Sequence, residues 1–258
     1  MGETVLKVRQ EGGLLWFETH PRSVGAEFLS GYFRLDDDLP LILSEINKDE
    51  HVDIAIRRFY GLRIMRQDPW ECLISYVCAT NKSIQAIKGM ISSVCERFGR
   101  AVEVEGKRFF TFPKPEVLAD ASVEELRLCG LGFRAERVLE VARIVGEGGL
   151  DFESLRGVGY LEARRVLLGL PGVGPKVADC VLLFSLDKLM AFPVDVWMKR
   201  IVLNYYSGCF ERSFVDGVLS KSGLSRGEYE AIGDFGRGYF GEYCGYAQEY
   251  LFHFGRCQ

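Results

Sequence analysis

Two glycines set around one apolar residue, in Leu170-Pro171-Gly172-Val173-Gly174-Pro175-Lys176, let the backbone turn sharply where a helix begins. Several consecutive N–H groups then point outward, and with the helix dipole they can grip a phosphate without any net positive charge. Val173 is placed to anchor such a turn in the core. Two other phosphate loops are excluded by spacing. Gly169 and Gly174 resemble the start of a nucleotide P-loop, but Pro175 stands where that motif needs Lys, and Lys176 is followed by Val177 rather than Ser or Thr. The dinucleotide pattern fails because no third Gly follows at its position and no strand alternation precedes. What remains is a helix-hairpin-helix grip on a DNA backbone, beside the plainer reading of a tight turn between two core helices.

Metal chemistry finds no ligand set. The eight cysteines (72, 78, 95, 129, 180, 209, 244, 257) lack the close pairs of a zinc ribbon, and most sit in apolar periodic stretches as buried thiols would. An iron–sulfur site needs four clustered cysteines, and the C-terminal region has Cys244 and Cys257 alone. No metal is expected. His20, His51 and His253 form no acid–base constellation.

The elements that must hold the turn read as helices almost throughout. Residues 3–19 alternate and are split by Gly12-Gly13, which predicts a two-strand hairpin, and no comparable strand pattern is expected after it. Short helical turns follow near Asp36 to Leu43, and Val52, Ile54, Ile56 and Phe59 fit a helix that Gly61 ends. Asp68-Pro69 is a start signal: Asp caps free N–H groups, and Pro at the first helical position loses no bond. That helix is predicted from Pro69 to about Ala79, broken by Thr80-Asn81, with the next starting near Ser83 and stopping before Gly99. Ser122 and Glu125 make a capping-box pattern before a short helix closed by Gly130, and Arg134 to Val145 follow as a helix. Arg164 to Leu168 end a helix, Pro175 to Ser185 form the one after the turn, another follows Asp195, and Tyr229 to Phe254 hold one or two more.

Among 258 residues, 48% are hydrophobic and 26% charged, which suits one or two packed cores and not a disordered chain. The longest apolar runs, such as Val181–Phe184 and Ile201–Leu203, fall far short of the roughly 20 residues a membrane helix needs. The first residues lack the basic, apolar, small-residue order of a secretory signal. A cytosolic monomer is expected, nucleoid-associated in a prokaryote or nuclear in a eukaryote. The net charge of −4 argues against an electrostatic nucleic-acid binder, but residues 1–50 carry five basic and ten acidic side chains, so the rest is nearly neutral. Contact with a polyanion must therefore use backbone donors and a few placed cations.

Leu170 to Cys180, followed by Pro193-Val194-Asp195-Val196, closely resembles the helix-hairpin-helix glycosylase superfamily, specifically 8-oxoguanine DNA glycosylases. Arg66-Gln67-Asp68-Pro69-Trp70-Glu71-Cys72, Asn81, Leu131-Gly132-Phe133-Arg134-Ala135 and Gly245-Tyr246-Ala247-Gln248 are similar to that family in the same order, so the resemblance spans roughly residues 31–256. It implies a mainly α fold with two helical subdomains around a DNA-binding cleft and a small, truncated N-terminal β-layer. The expected division is 1–30 for that layer, 31–67 plus 187–258 for one helical domain, and 68–186 for the domain ending in the hairpin.

The resemblance also implies chemistry. A damaged purine is flipped out of duplex DNA, its glycosidic bond is broken by a Lys amine, and the Schiff base undergoes β-elimination, with no cofactor. Lys176 matches the nucleophile. At a pKa of about 10.4 only about one part in 2,500 of a Lys is neutral at pH 7, so the site must lower that pKa or deprotonate the amine transiently. The helix N-terminus and burial push that way, and Asp179 pushes the other way if its carboxylate faces the amine. Asp195 matches the catalytic Asp that stabilises the cationic sugar, and it also fits a plain N-cap. Gly172, Val173 and Gly174 match the backbone-binding hairpin. Asn81 and Arg134 match contacts to the orphaned cytosine and Phe133 the wedge that fills the vacated stack, the alternatives being a helix-ending Asn and a core Phe beside a surface Arg. Gln248 matches the reader of the flipped base, with Phe252 and Cys180 covering its two faces; for those two, core packing is the alternative. A buried Gln without a ligand is costly, which makes Gln248 the most telling of the three.

The chain departs from the family at several points. Phe133 replaces the common Tyr, Trp197 stands where a His often contacts phosphate, and Ala86 falls where a second cytosine-reading Arg is usual, so opposite-base discrimination is expected to be looser. The early glycine-containing segment that helps separate oxidised from normal guanine has no counterpart before Glu3. Two competing functions fit the residues less well: a superfamily glycosylase for another oxidised or alkylated base, and a non-catalytic DNA-binding hairpin module, which gives Lys176, Asp195 and Gln248 no reason to occur together.

Overall fold

A computed structural model describes residues 4–80 and 82–257. Two strands come first, β1 (Val5–Glu11) and β2 (Leu14–His20), then helices α1 (Ala26–Tyr32), α2 (Leu39–Ile46) and α3 (Glu50–Arg58). Helices α4 (Pro69–Ala79) and α5 (Ile84–Phe98) precede a second strand pair, β3 (Ala101–Val104) and β4 (Lys107–Phe110). The remainder is helical: α6 (Pro115–Ala119), α7 (Val123–Leu128), α8 (Arg134–Gly146), α9 (Phe152–Gly157), α10 (Tyr160–Leu168) and α11 (Pro175–Ser185). The last four are α12 (Val196–Tyr205), α13 (Arg212–Leu219), α14 (Arg226–Phe240) and α15 (Cys244–Arg256). The mainly α class follows the expectation. The strand pair β3–β4 corrects it: Glu105 (φ +51°) and Gly106 (φ +74°) form the two-residue turn, and register pairs Ala101 with Phe110 and Val104 with Lys107. Alternation over Val102, Val104 and Phe109 was the signal, too short to stand out.

The chain divides into two compact units. One takes the chain up to Leu29, Asp68–Asp151 and Leu170–Gly172; the other takes Ser30–Gln67, Phe152–Gly169 and Val173 onward. In the first, α4 is the central helix. Asp68 caps it by accepting from the Glu71 N–H at 3.0 Å, Pro69 opens it, and Leu73, Ile74, Val77 and Cys78 are buried on it. Helix α8 packs there with Ala135, Val138, Leu139 and Ala142, while Trp70 donates its indole N–H to the Pro113 carbonyl at 2.9 Å. Truncating a residue such as Leu73 to Ala would cost about 2–5 kcal/mol. The predicted capping box is present, with the Ser122 hydroxyl accepting from the Glu125 N–H and the Glu125 carboxylate accepting from the Ser122 N–H.

The second unit is built around α15, whose Tyr246, Ala247, Tyr250 and Leu251 are fully buried. Gly245 must be small: a Cβ there would lie 2.3 Å from Leu183 Cδ1 and 2.7 Å from the Leu189 carbonyl oxygen, which accepts from the Gly245 N–H at 2.8 Å. An internal charge cluster ties α10, α11 and α14. Asp179, with no exposed surface, accepts from Tyr160 at 2.8 Å, Tyr229 at 2.7 Å and Arg164 at 2.9 Å, and Arg237 donates to the Tyr160 hydroxyl at 2.9 Å. Because α10, α11 and α14 share this cluster, residues 152–169 and 173–186 group with the C-terminal segment, whereas the sequence-based division put them with 68–151. A second network joins Arg66 to Asp36 and Asp187, each at 2.8 Å, with Tyr246 donating to Asp37 at 2.8 Å.

Candidate active site

The hairpin has the backbone that its glycines predict. Gly172 sits at φ +76°, and a Cβ on it would fall 2.7 Å from Arg137 Cδ, so both conformation and space exclude a side chain. Val173 is buried. Gly174 is the N-cap of α11 and offers no capping side chain, Pro175 follows at the first helical position, and the first helical bond runs from the Ala178 N–H to the Gly174 carbonyl at 3.0 Å. The N–H groups of Lys176 and Val177 thus remain free of intrahelical partners, the arrangement that receives an anion.

Lys176 is half-buried in the first turn of α11 and makes no ion pair among the described residues. The competing pull of Asp179 is settled by the cluster above: its carboxylate is turned inward onto Arg164 and two tyrosines. Burial first, then the Asp179 charge, push the Tyr160 and Tyr229 phenols well above the usual tyrosine range, so both stay protonated and donate. Asp195 caps α12 as expected, its Oδ1 accepting from Trp197 at 2.9 Å and Met198 at 2.8 Å, with Oδ2 left out of the cap. The cap contributes about 1 kcal/mol and fixes the orientation of the carboxylate.

Gln248 is 4% exposed, and its Oε1 has no hydrogen-bond partner. Phe252, one helical turn on, is partly buried and carries the Arg256 guanidinium 5.4 Å from its ring centroid. Cys180 is buried on α11. Between the two α15 residues of interest lies Glu249, which sequence reasoning passed over although it adjoins Gln248. Burial, and secondarily the Asp195 charge, push its carboxyl up to about 7.

Lys176, Cys180, Asp195, Gln248 and Phe252 all belong to the second unit, while Phe133 and Arg134 belong to the first. The latter pair reverses the plain alternative of a core Phe beside a surface Arg. Phe133 is 58% exposed at the start of α8, and Arg134 is 3% exposed, donates to the Thr80 carbonyl and lies 4.3 Å from the Phe133 ring centroid. Its Nε is buried without a partner. Asn81 lies outside the described residues. Among the described residues no three His, Cys, Asp or Glu side chains group as a metal site. The Cys78 and Cys244 thiols are pushed up to about 12 by burial, so they remain protonated.

The site thus combines a glycine hairpin that opens a helix with Lys176 in its first turn and a following helix capped by Asp195. The sequence model of the HhH-GPD superfamily of base excision DNA repair proteins matches residues 74–208, and that of the 8-oxoguanine DNA glycosylase N-terminal domain matches residues 2–73. A probable N-glycosylase/DNA lyase of Methanothermobacter thermautotrophicus is 32% identical, covering 97% of this chain and 82% of its own. An N-glycosylase/DNA lyase of Arabidopsis thaliana is 33% identical over 91% of this chain and 63% of its own. The Clostridium acetobutylicum 8-oxoguanine glycosylase/lyase, solved with duplex DNA containing cytosine opposite 8-oxoguanine, superposes with a TM-score of 0.85 at 31% identity, covering 97% of this chain and 81% of that one. The chain belongs to the 8-oxoguanine DNA glycosylase/lyase family of that superfamily.

Proposed function

We propose that this chain excises 8-oxoguanine from duplex DNA, opposite cytosine, and then cuts the strand as an AP lyase. The observation that carries the reading is Gln248: a buried acceptor with no partner costs about 1–3 kcal/mol, and a ligand that brings a donor removes the cost. The Watson–Crick edge of an extruded guanine derivative, with its ring N–H and amino group, is such a donor. Phe252 and Cys180 flank it in this reading.

The chemistry needs an amine and a carboxylate. The neutral Lys176 Nζ bonds to C1′ as the C1′–N9 bond breaks and the electron pair leaves with the base, which takes up a proton. Asp195 stabilises the cationic sugar through this step. Loss of the second N–H proton and opening of the sugar ring give the imine. Removal of a C2′ proton then expels the 3′ phosphate, and water releases Lys176 from the imine. The hairpin holds the backbone with its free N–H groups, Phe133 fills the vacated stack, and Arg134 and Asn81 meet the orphaned cytosine. The partner is duplex DNA, and among the described residues no helix is long and apolar enough to cross a membrane.

Borohydride trapping on an 8-oxoguanine:cytosine duplex tests the mechanism, since only an imine gives a covalent adduct. The wild-type chain should be trapped and Lys176→Gln should not, while still binding duplex. An adduct of unchanged yield in that variant would refute the nucleophile assignment. Asp195→Asn should fold and release base far more slowly; near-normal release reduces Asp195 to a cap.

A further inference from the structure

Three cation–ring contacts meet at the start of α12. The Arg256 guanidinium lies 5.8 Å from the Trp197 ring centroid and 5.4 Å from that of Phe252, and the Arg200 guanidinium lies 6.0 Å from the Trp197 centroid. Trp197 is 45% exposed, and both arginines are exposed. Among the described residues neither arginine is paired with a carboxylate. Each contact restrains a long side chain by about 0.5–1 kcal/mol at an exposed site, so the planar N–H forks are partly ordered yet unsatisfied. Ordered guanidinium forks suit the tetrahedral oxygens of a phosphate.

The surroundings point the same way. The Trp197 and Met198 N–H groups in the first turn of α12 are already taken by the Asp195 carboxylate. A polyanion passing this helix start therefore depends on side-chain cations more than on backbone donors, and it needs them to offset the Asp195 charge. On a chain of net charge −4, two unneutralised guanidinia braced on one indole form a local positive spot.

The geometry points to Arg200 and Arg256, braced by Trp197, as a clamp on phosphates of the lesion-bearing strand beside the nucleotide that Asp195 serves. The identity of the strand rests on the glycosylase reading; the cationic spot does not. Arg256 also touches Phe252, so seating a phosphate would fix the ring that stacks on the extruded base.

Duplex affinity measured against salt concentration tests the clamp, on undamaged duplex and on duplex carrying a reduced abasic site that cannot be processed. Each phosphate contact contributes about 0.9 to the slope of log K against log salt. Arg256→Gln and Arg200→Gln should each flatten the slope on the abasic duplex by about 0.9, and the double variant by about 1.8. Trp197→Ala should weaken binding at low salt although it removes no charge, and Trp197→Phe should restore most of it. Arg212→Gln, an exposed arginine beside Asp216 on α13, should leave the slope as in the wild type. Unchanged slopes in the folded Arg200 and Arg256 variants overturn the clamp, as does an equal loss in the Arg212 control or a loss confined to undamaged duplex. Failure of the glycosylase reading shows up separately, as a wild-type chain that binds duplex but yields no borohydride adduct.

Discussion

Replacing Gln248 by Met should make the free protein more stable and the enzyme worse. The side chain is 4% exposed and its Oε1 lacks a partner, so the folded chain carries a desolvation cost of about 1–3 kcal/mol at this atom. Met is unbranched and of similar volume, and a swap of that kind costs less than about 1.5 kcal/mol in packing. The net expectation is a gain of about 1 kcal/mol, or about 2–4 °C in thermal midpoint for a chain of this size, measured without DNA. Single-turnover release of 8-oxoguanine at saturating enzyme should fall about 10- to 100-fold, which is what losing one hydrogen bond to the reacting base is worth. The two effects must have opposite signs. A variant that is destabilised while releasing base at the normal rate would show that Gln248 is satisfied within the protein and reads nothing, and the functional proposal would lose its main support.

The half-buried Glu249 carboxyl, raised from its ordinary 4.5 to about 7 by burial and the Asp195 charge, predicts a pH dependence. The folded chain holds this proton between those values while the unfolded chain gives it up. Stability from this group is therefore complete below pH 4.5, falls as pH rises through 7, and is flat above; the ceiling is about 3 kcal/mol. Urea midpoints between pH 5 and 8 should show a decline that Glu249→Gln flattens, and superimposable curves would sink the assignment. Asp179→Asn leaves Arg164 and two tyrosines around a neutral amide and should cost about 3–5 kcal/mol in urea denaturation; a loss below about 0.5 would show the cluster to be dispensable. Gly172→Ala must hold an L side chain at φ +76° against Arg137, so a loss of about 1–2 kcal/mol is expected together with weaker duplex binding, and wild-type affinity and stability would refute the hairpin argument.

Local chemistry made much of this protein readable from its residues. Asp68-Pro69, Ser122 with Glu125, Asp195 and the glycines of the hairpin act within one turn of backbone, so the sequence determined where α4, α7, α11 and α12 begin and that Lys176 opens a helix after a free-donor turn. The order of the motifs along the chain likewise carries the family resemblance. Other features required the tertiary structure, because they depend on which side chains meet across long sequence separations. Asp179, three residues beyond Lys176, might have paired with that amine; it is instead drawn inward by Tyr160, Arg164 and Tyr229 from α10 and α14, which also decides that those helices group with the C-terminal segment. Burial was equally illegible. Arg134 is inside and Phe133 outside because the Thr80 carbonyl at the end of α4 takes the guanidinium N–H, and nothing in the local spacing of Leu131 to Ala135 records that acceptor. The raised carboxyl of Glu249 and the convergence of Arg200 and Arg256 on Trp197 are of the same kind, since desolvation and cation–ring contact are properties of a packed environment and not of residue type.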